Sequence, residues 1–179
     1  MNPILKKVSL LLLLSLGLAG CSTFNTFLTD SRLPDHQIII DGKSDDWRGE
    51  LYIAENERVS LGFLNDQENL YVCLLAENNF TRNQIMMQGL TVWFDPQGGK
   101  KKALGIKFPL GMPAAERPMP WREDQEEPGL ENVPGGPMTE LEIIRSETEE
   151  PQKMNIAEAK GIEIKALPST GMLVYELKI

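Results

Sequence analysis

The sequence predicts an all-β fold, an antiparallel β-sandwich of the jelly-roll type, placed after an N-terminal signal-peptide helix. Apolar residues alternate with a period of two, turn residues separate the alternating runs, and helical periodicity is weak. Short strands at this spacing are typical of antiparallel sandwiches and barrels. The alternating runs are 59–63, 70–76, 90–94, 104–108, 162–165 and 173–179, and the turn signals include Asp41-Gly42, Asn65-Asp66, Asn78-Asn79, Asp95-Pro96 and 169–171.

Three further segments complete this prediction. A strand is expected at Ile38–Ile40, and helical turns are expected within 81–88 and 152–160. Residues 109–137 contain seven Pro, which central strands exclude, so we expect a long Pro/Gly-rich insertion there. The chain ends within the run 172–179, which favours either a truncated sequence or a missing last strand.

The N-terminus resembles an export signal. Residues 1–20 have a basic start and an apolar stretch that is too short for a transmembrane helix of about 20 residues. The end of this segment, Leu18-Ala19-Gly20-Cys21, resembles the lipobox of bacterial lipoproteins, in which the Cys thiol carries a diacylglycerol. We therefore expect an exported protein, anchored to the bacterial cell envelope through a lipid on Cys21. The alternative is an ordinary signal peptide with a Cys at its cleavage site.

This interpretation divides the chain into a signal peptide (1–20), a tether (21–34) and a sandwich domain (35–179). By resemblance to lipoprotein sorting rules, Ser22 after the Cys suggests the outer membrane. Lipidation would leave Cys73 without a disulfide partner. Its place in an alternating run predicts a small buried hydrophobic residue rather than a reactive thiol.

Charge and composition exclude several classes of function. The 179 residues include 26 acidic and 18 basic residues, a net charge of −8. Cleavage would remove Lys6 and Lys7 but no acid, which leaves 16 basic residues and a net charge of −10. Nucleic acid is therefore not an expected partner, because phosphate backbones require clustered cations. With a single His, most mononuclear zinc sites are excluded. The sequence also contains no hydrolase, phosphate-loop or C-x-x-C motif, so we expect no enzyme.

Four motifs carry a family resemblance. They are IDGKSDDW (40–47), NDQENLYV (65–72), LTVWFDP (90–96) and YELKI (175–179). Their order resembles the sugar-binding β-sandwiches of carbohydrate-binding module family nine and the related DOMON-like domains. The resemblance covers roughly residues 36–110 and 160–179, and it implies a sandwich that binds glycan without catalysis.

Sugar binding needs flat aromatic faces together with polar groups for the hydroxyls. Trp47 is expected to be structural, because its turn motif places it against the sheet. Trp93 is expected to point away from the core, since Leu90, Val92 and Phe94 share the opposite face. The candidate carbohydrate-binding residues are Trp93, Trp121, Arg82 and Gln84.

The resemblance also implies two candidate cofactors. Members of these families can hold structural calcium, and Asp41, Asp45, Asp46 and Asp95 are candidate ligands, although turn capping is the favoured interpretation of these carboxylates. Some DOMON-like domains bind haem. Here His36, Met86, Met87 and Met112 lack a recognisable spacing, and packing residues are favoured.

The sequence therefore predicts a lipid-anchored envelope protein that binds a glycan or cell-wall polymer through one β-sandwich. A basic cluster at 98–102 is expected to be a hairpin tip, with contact to anionic envelope components as the alternative. The alternative function is a structural or assembly lipoprotein that uses the sandwich to bind another envelope protein.

Overall fold

The computed structural model describes residues 31–54, 59–117, 138–146, 149–169 and 171–179. Within these residues the strands form two antiparallel sheets, with the orders β1-β2-β3-β9-β8 and β4-β5-β6-β7. The predicted all-β sandwich class is confirmed. The elements are β1 (Leu51–Ala54), β2 (Val59–Asn65), β3 (Leu70–Ala76), α1 (Asn79–Gln88), β4 (Thr91–Phe94), β5 (Leu104–Lys107), β6 (Glu140–Ile144), β7 (Gln152–Asn155), β8 (Glu163–Ser169) and β9 (Met172–Lys178).

The main core lies between the two sheets. Val72, Leu74 and Ala76 of β3 pair with Leu177, Tyr175 and Leu173 of β9, so these residues share one face of the five-stranded sheet. That face packs against the inward-facing residues of the other sheet, which include Ile106, Phe108 and Leu141. Strand alternation in the sequence therefore predicts the core correctly.

A second apolar cluster covers the opposite face of the five-stranded sheet. Ile38 and Trp47, from the segment before β1, pack there on Leu64, Cys73 and Val174. Cys73 is fully buried, and this burial raises the pKa of its thiol. The prediction of a small buried hydrophobic residue at this position is confirmed.

The NDQENLYV motif forms the turn between β2 and β3. The Asp66 carboxylate accepts hydrogen bonds from the backbone N–H groups of Glu68 and Asn69 at 2.8 and 2.7 Å, and from the Tyr71 hydroxyl at 2.7 Å. These bonds hold the pKa of Asp66 well below its usual range. The motif is therefore explained by turn geometry.

The helix is longer than the single turn expected at 81–88. Asn78 begins α1, because its side chain accepts a hydrogen bond from Thr81 N at 2.7 Å. Gly89 ends the helix with a φ of 85° and donates its N–H to Ile85 O at 2.8 Å.

Two expected elements are wrong. Ile38–Ile40 forms no strand, because Ile39 N donates to the Asp46 side chain and Asp41 N donates to Ile39 O. Residues 152–155 form β7 rather than helix, since they pair with β6, and only a 3₁₀ turn at Ile156–Glu158 follows. Strands β1 and β6 are two elements that the alternation did not predict.

The predicted signal peptide, Cys21, most of the tether and residues 118–137, including Trp121, lie outside the described residues. Arg32, near the end of the predicted tether, forms a parallel bridge with Leu64. The one α-helix within the described residues is neither long nor apolar enough to cross a membrane.

Candidate functional site: the outer face of the four-stranded sheet

Trp93 lies on the outer face of the four-stranded sheet. Its neighbours Val92 and Phe94 pack against the core, so the alternation of β4 turns Trp93 the other way, as predicted. It pairs with Gly105 of β5 and is only partly buried. A large aromatic side chain is thereby placed at the surface of the sandwich.

The Trp93 ring lies face-down on Gly105. A Cβ added to Gly105 would lie 2.9, 3.0 and 3.1 Å from Cζ3, Cε3 and Cη2 of the ring. Three neighbouring ring atoms at nearly equal distances require that the face of the ring, rather than its edge, meets the glycine. The glycine thus lets the indole lie flat on the sheet, with its other face turned outward.

The basic hairpin between β4 and β5 approaches this outward face. The Lys102 ammonium lies over the ring, 5.6 Å from its centroid, which is within cation–π distance. Asp95 supports the hairpin, because its carboxylate accepts from the backbone N–H groups of Gln97 and Lys101 at 3.1 and 2.9 Å. These bonds lower the pKa of Asp95. The predicted hairpin tip is confirmed.

A row of charged side chains crosses the same face beside Trp93. Lys107 of β5 pairs with Glu142 of β6, and Glu142 pairs with Lys153 of β7. Lys107 Nζ lies 3.9 Å from a Glu142 oxygen, whereas Lys153 Nζ forms a close ion pair with Glu140 at 2.7 Å. Charges of both signs therefore lie within reach of a ligand that contacts the Trp93 ring.

The loop after β5 closes one side of this row and forms a pocket. Arg117 of this loop donates from Nε to Met112 O at 2.9 Å, which holds residues 112–117 in shape. We call this cavity of about 270 Å³ the Lys107 pocket. Its lining comprises Lys107, Leu110, Gly111, Met112, Pro113, Ala114, Arg117, Glu142 and Lys153.

The predicted partners on the helix do not join this site. Arg82 and Asn83 are buried, at 5% and 2% exposure, whereas Gln84 is exposed. Neither Arg82 nor Gln84 lines the Lys107 pocket. Of the four candidate sugar-binding residues, only Trp93 is placed on this face by the described residues.

The IDGKSDDW motif is tied to the sheet through a buried carboxylate. Glu176 of β9 is fully buried on the outer face of the five-stranded sheet. It accepts hydrogen bonds from Trp47 Nε1 at 2.9 Å and from Gly42 N at 2.6 Å. Burial raises the pKa of Glu176, while these two bonds oppose the rise. Trp47 is fully buried as well, so its predicted structural role is confirmed.

The four candidate calcium ligands all make local hydrogen bonds. Asp41 bonds Lys43, Asp45 bonds Arg48, and Asp46 accepts from Ile39 N, while Asp95 lies at the other sheet's hairpin. Within the described residues, no group of three or more His, Cys, Asp or Glu side chains is arranged to hold a metal ion.

His36, a candidate haem ligand, uses both ring nitrogens in local bonds. One contacts the Asp35 carboxylate at 2.5 Å and the other contacts Asp46 O at 2.7 Å. The bond to Asp35 raises the pKa of His36. These contacts join the segment before β1 to the turn that carries Asp46.

A second concavity, of about 370 Å³, opens between β8, the residues that precede β6 and the turn that follows β7. Its lining is mainly apolar and includes Phe108, Ile156, Ile164 and Leu167. Its lining includes no carboxylate, whereas the Lys107 pocket is lined by Glu142. This groove therefore suits sugar hydroxyls less well than the Lys107 pocket does.

The charged half of the site is not predicted by the sequence. Lys107 was visible as an outward residue of an alternating run, but its partners Glu142 and Lys153 belong to β6 and to a segment expected to be helical. No family model matches the chain, and neither curated proteins nor solved structures show a match.

Proposed function

We propose that this protein is a lipid-anchored envelope protein whose β-sandwich binds glycan without catalysis, through the outer face of the four-stranded sheet. The observation that carries the proposal is the Trp93 ring, which lies flat on Gly105 with one face turned outward. A flat, partly exposed aromatic ring on a rigid sheet is the surface on which the C–H face of a sugar stacks.

The surroundings of Trp93 supply the polar half of such a site. Lys107, Glu142 and Lys153 cross the same face and present both donors and an acceptor for sugar hydroxyls. Lys102 already occupies a cation–π position over the ring. Its long side chain can move aside when a sugar stacks, so we expect Lys102→Ala to preserve or strengthen binding.

A glycan array followed by calorimetry tests this function. The full-length protein is solubilised in a polyoxyethylene detergent, because detergents with sugar headgroups would compete, and is tested against oligosaccharides and cell-wall polymers. We expect Trp93→Ala to abolish binding and Trp93→Phe, which keeps a flat ring, to retain part of it. Trp121→Ala tests the second predicted platform in the same assay.

The outcome would contradict the proposal if no glycan binds, or if Trp93→Ala binds as well as the parent protein. Recovery of one stoichiometric protein partner from solubilised membranes, together with absent glycan binding, would favour the assembly function instead.

The anchor is tested separately from the ligand. Cys21→Ala removes the thiol that would carry the lipid, so we expect the protein to move from the membrane fraction to the soluble fraction. Cys73→Ala is the matched control, because Cys73 is fully buried and should leave the distribution unchanged. Continued membrane association of the Cys21 variant would refute lipidation.

A further inference from the structure

We propose that the Lys107 pocket binds the carboxylate of an acidic sugar, so that the glycan recognised by this face contains uronic-acid units. This inference rests on the proposed glycan-binding function and names the class of sugar. It is carried by the charge, the hydrogen bonding and the size of the pocket.

The pocket has one positive charge in excess. Its lining carries Lys107, Arg117 and Lys153 against the single carboxylate of Glu142. Glu140 already pairs with Lys153 at 2.7 Å, which leaves two cations facing Glu142. This excess stands out in a chain with a net charge of −8. The local field therefore favours an anion, although the chain as a whole is acidic.

Lys107 lacks a close acceptor. Its Nζ lies 3.9 Å from Glu142, beyond the distance of about 2.7–2.9 Å at which charged groups hydrogen-bond. Its side chain is only 26% exposed. No hydrogen bond from Nζ is found within the part of the chain that the structure describes. A ligand oxygen at this position would therefore supply the bond that the protein does not.

Arg117, another residue of the lining, offers a second donor. Its Nε bond to Met112 O fixes one edge of the guanidinium, and Arg117 remains part of the pocket lining. The two terminal nitrogens form the planar fork that matches a carboxylate. Together with Lys107, Arg117 can hold one carboxylate from two sides.

The charge favours a carboxylate over a phosphate. A phosphate ester carries about −1.5 to −2 charges near pH 7. This exceeds the net charge of +1 in the pocket, so part of the phosphate charge would lie unpaired near Glu142. A carboxylate balances that charge and leaves Glu142 to accept sugar hydroxyls. A volume of about 270 Å³ lies just below the range of drug-sized pockets, about 300–1,000 Å³, and suits one sugar unit.

The pocket and the Trp93 ring can serve the same chain of sugars. Lys107 pairs with Thr91, two residues from Trp93 on the same face. Diagonal neighbours on adjacent strands lie about 7–8 Å apart. One sugar unit can therefore stack on Trp93 while its neighbour places a carboxylate in the pocket.

The test compares acidic oligosaccharides with their neutral esters. Oligomers of galacturonic, mannuronic and glucuronic acid are each titrated beside the methyl ester, which keeps the ring and removes the charge. We expect at least one acid to bind roughly tenfold more tightly than its ester, a preference that shrinks at high salt. Lys107→Gln should weaken binding of the acid roughly tenfold more than binding of the ester, so that the preference for the acid disappears. Lys160→Gln, an exposed lysine outside the pocket, is the matched control and should change neither.

The remaining outcomes distinguish the carboxylate assignment from the glycan-binding function on which it rests. Equal binding of acid and ester, or tighter binding of a hexose 6-phosphate, would overturn the carboxylate assignment while glycan binding stands. If the array yields only neutral glycans and no uronic-acid oligomer binds, the carboxylate assignment is likewise overturned while glycan binding stands. Absence of all binding would overturn both.

Discussion

In each sheet a tryptophan ring packs on a glycine, but one ring is fully buried and the other is partly exposed. A Cβ on Gly62 would lie 2.6 Å from the Trp47 ring, and a Cβ on Gly105 would lie 2.9 Å from the Trp93 ring. Trp47 is fully buried and donates its indole N–H to Glu176, whereas Trp93 is partly exposed beneath the Lys102 ammonium. One outer face is closed by the segment before β1, whereas the described residues leave the other face partly exposed at Trp93.

The comparison indicates that the same local packing can serve stability in one sheet and ligand binding in the other. The segment before β1 folds over Trp47, and Glu176 satisfies both of the donors that this covering buries. Trp93 is only partly buried within the described residues, and the outward residues beside its pair with Gly105 are the apolar Ile144 and, further along, the charged Lys107 and Glu142. The buried tryptophan should therefore control unfolding, and the partly exposed one should control binding.

Removing each ring gives the largest expected contrast. Trp47→Ala should lower the free energy of unfolding by about 3–5 kcal/mol, because it leaves a large cavity and a buried carboxylate with one partner fewer. Trp93→Ala should cost less, about 1–3 kcal/mol, because part of the ring already contacts solvent. Denaturant unfolding followed by circular dichroism measures both. Equal costs would contradict the assignment of separate roles.

Glu176→Gln tests what holds the closed face. An amide can accept from only one of the two donors and would direct an N–H group at the other, so we expect a loss of about 1–3 kcal/mol at neutral pH. The loss is expected although the substitution removes a buried negative charge. A stabilised variant would show that desolvation of the carboxylate outweighs its two hydrogen bonds.

The pH dependence of the same variant has a definite sign. Burial raises the pKa of Glu176 above its unfolded value of about 4.3. The folded protein therefore binds the Glu176 proton more tightly than the unfolded chain does. The resulting gain in the free energy of unfolding is fully present below the unfolded pKa and is lost as pH rises through the folded pKa. Stability of the parent protein relative to Glu176→Gln should therefore be higher at acidic pH and fall across this interval. A flat difference between the two unfolding curves would contradict the raised pKa.

The sequence predicted the elements whose reasons are local. Alternation in 70–76 and 173–179 placed the core, and the parity of Val92 and Phe94 turned Trp93 outward. The missed strand β7 has the sequence QKMN, which lacks an apolar alternation, because it is an edge strand with mostly exposed residues. Its pairing with β6 arises only in the folded sheet, so the row from Lys107 to Lys153 could not be read along the chain.

Filling the two glycines gives the smallest but most direct test of the comparison. Gly62→Ala forces a Cβ within 2.6 Å of a ring that cannot move, so it should cost about 1–3 kcal/mol. Gly105→Ala meets a ring that can tilt toward solvent, and alanine also removes backbone freedom from the unfolded chain. Its effect on unfolding should stay within about 0.5 kcal/mol. Tilting the indole should nevertheless weaken glycan binding, which calorimetry on the two variants would measure. If Gly105→Ala instead unfolds the protein as strongly as Gly62→Ala, the Trp93 ring is held by packing rather than left open for a ligand.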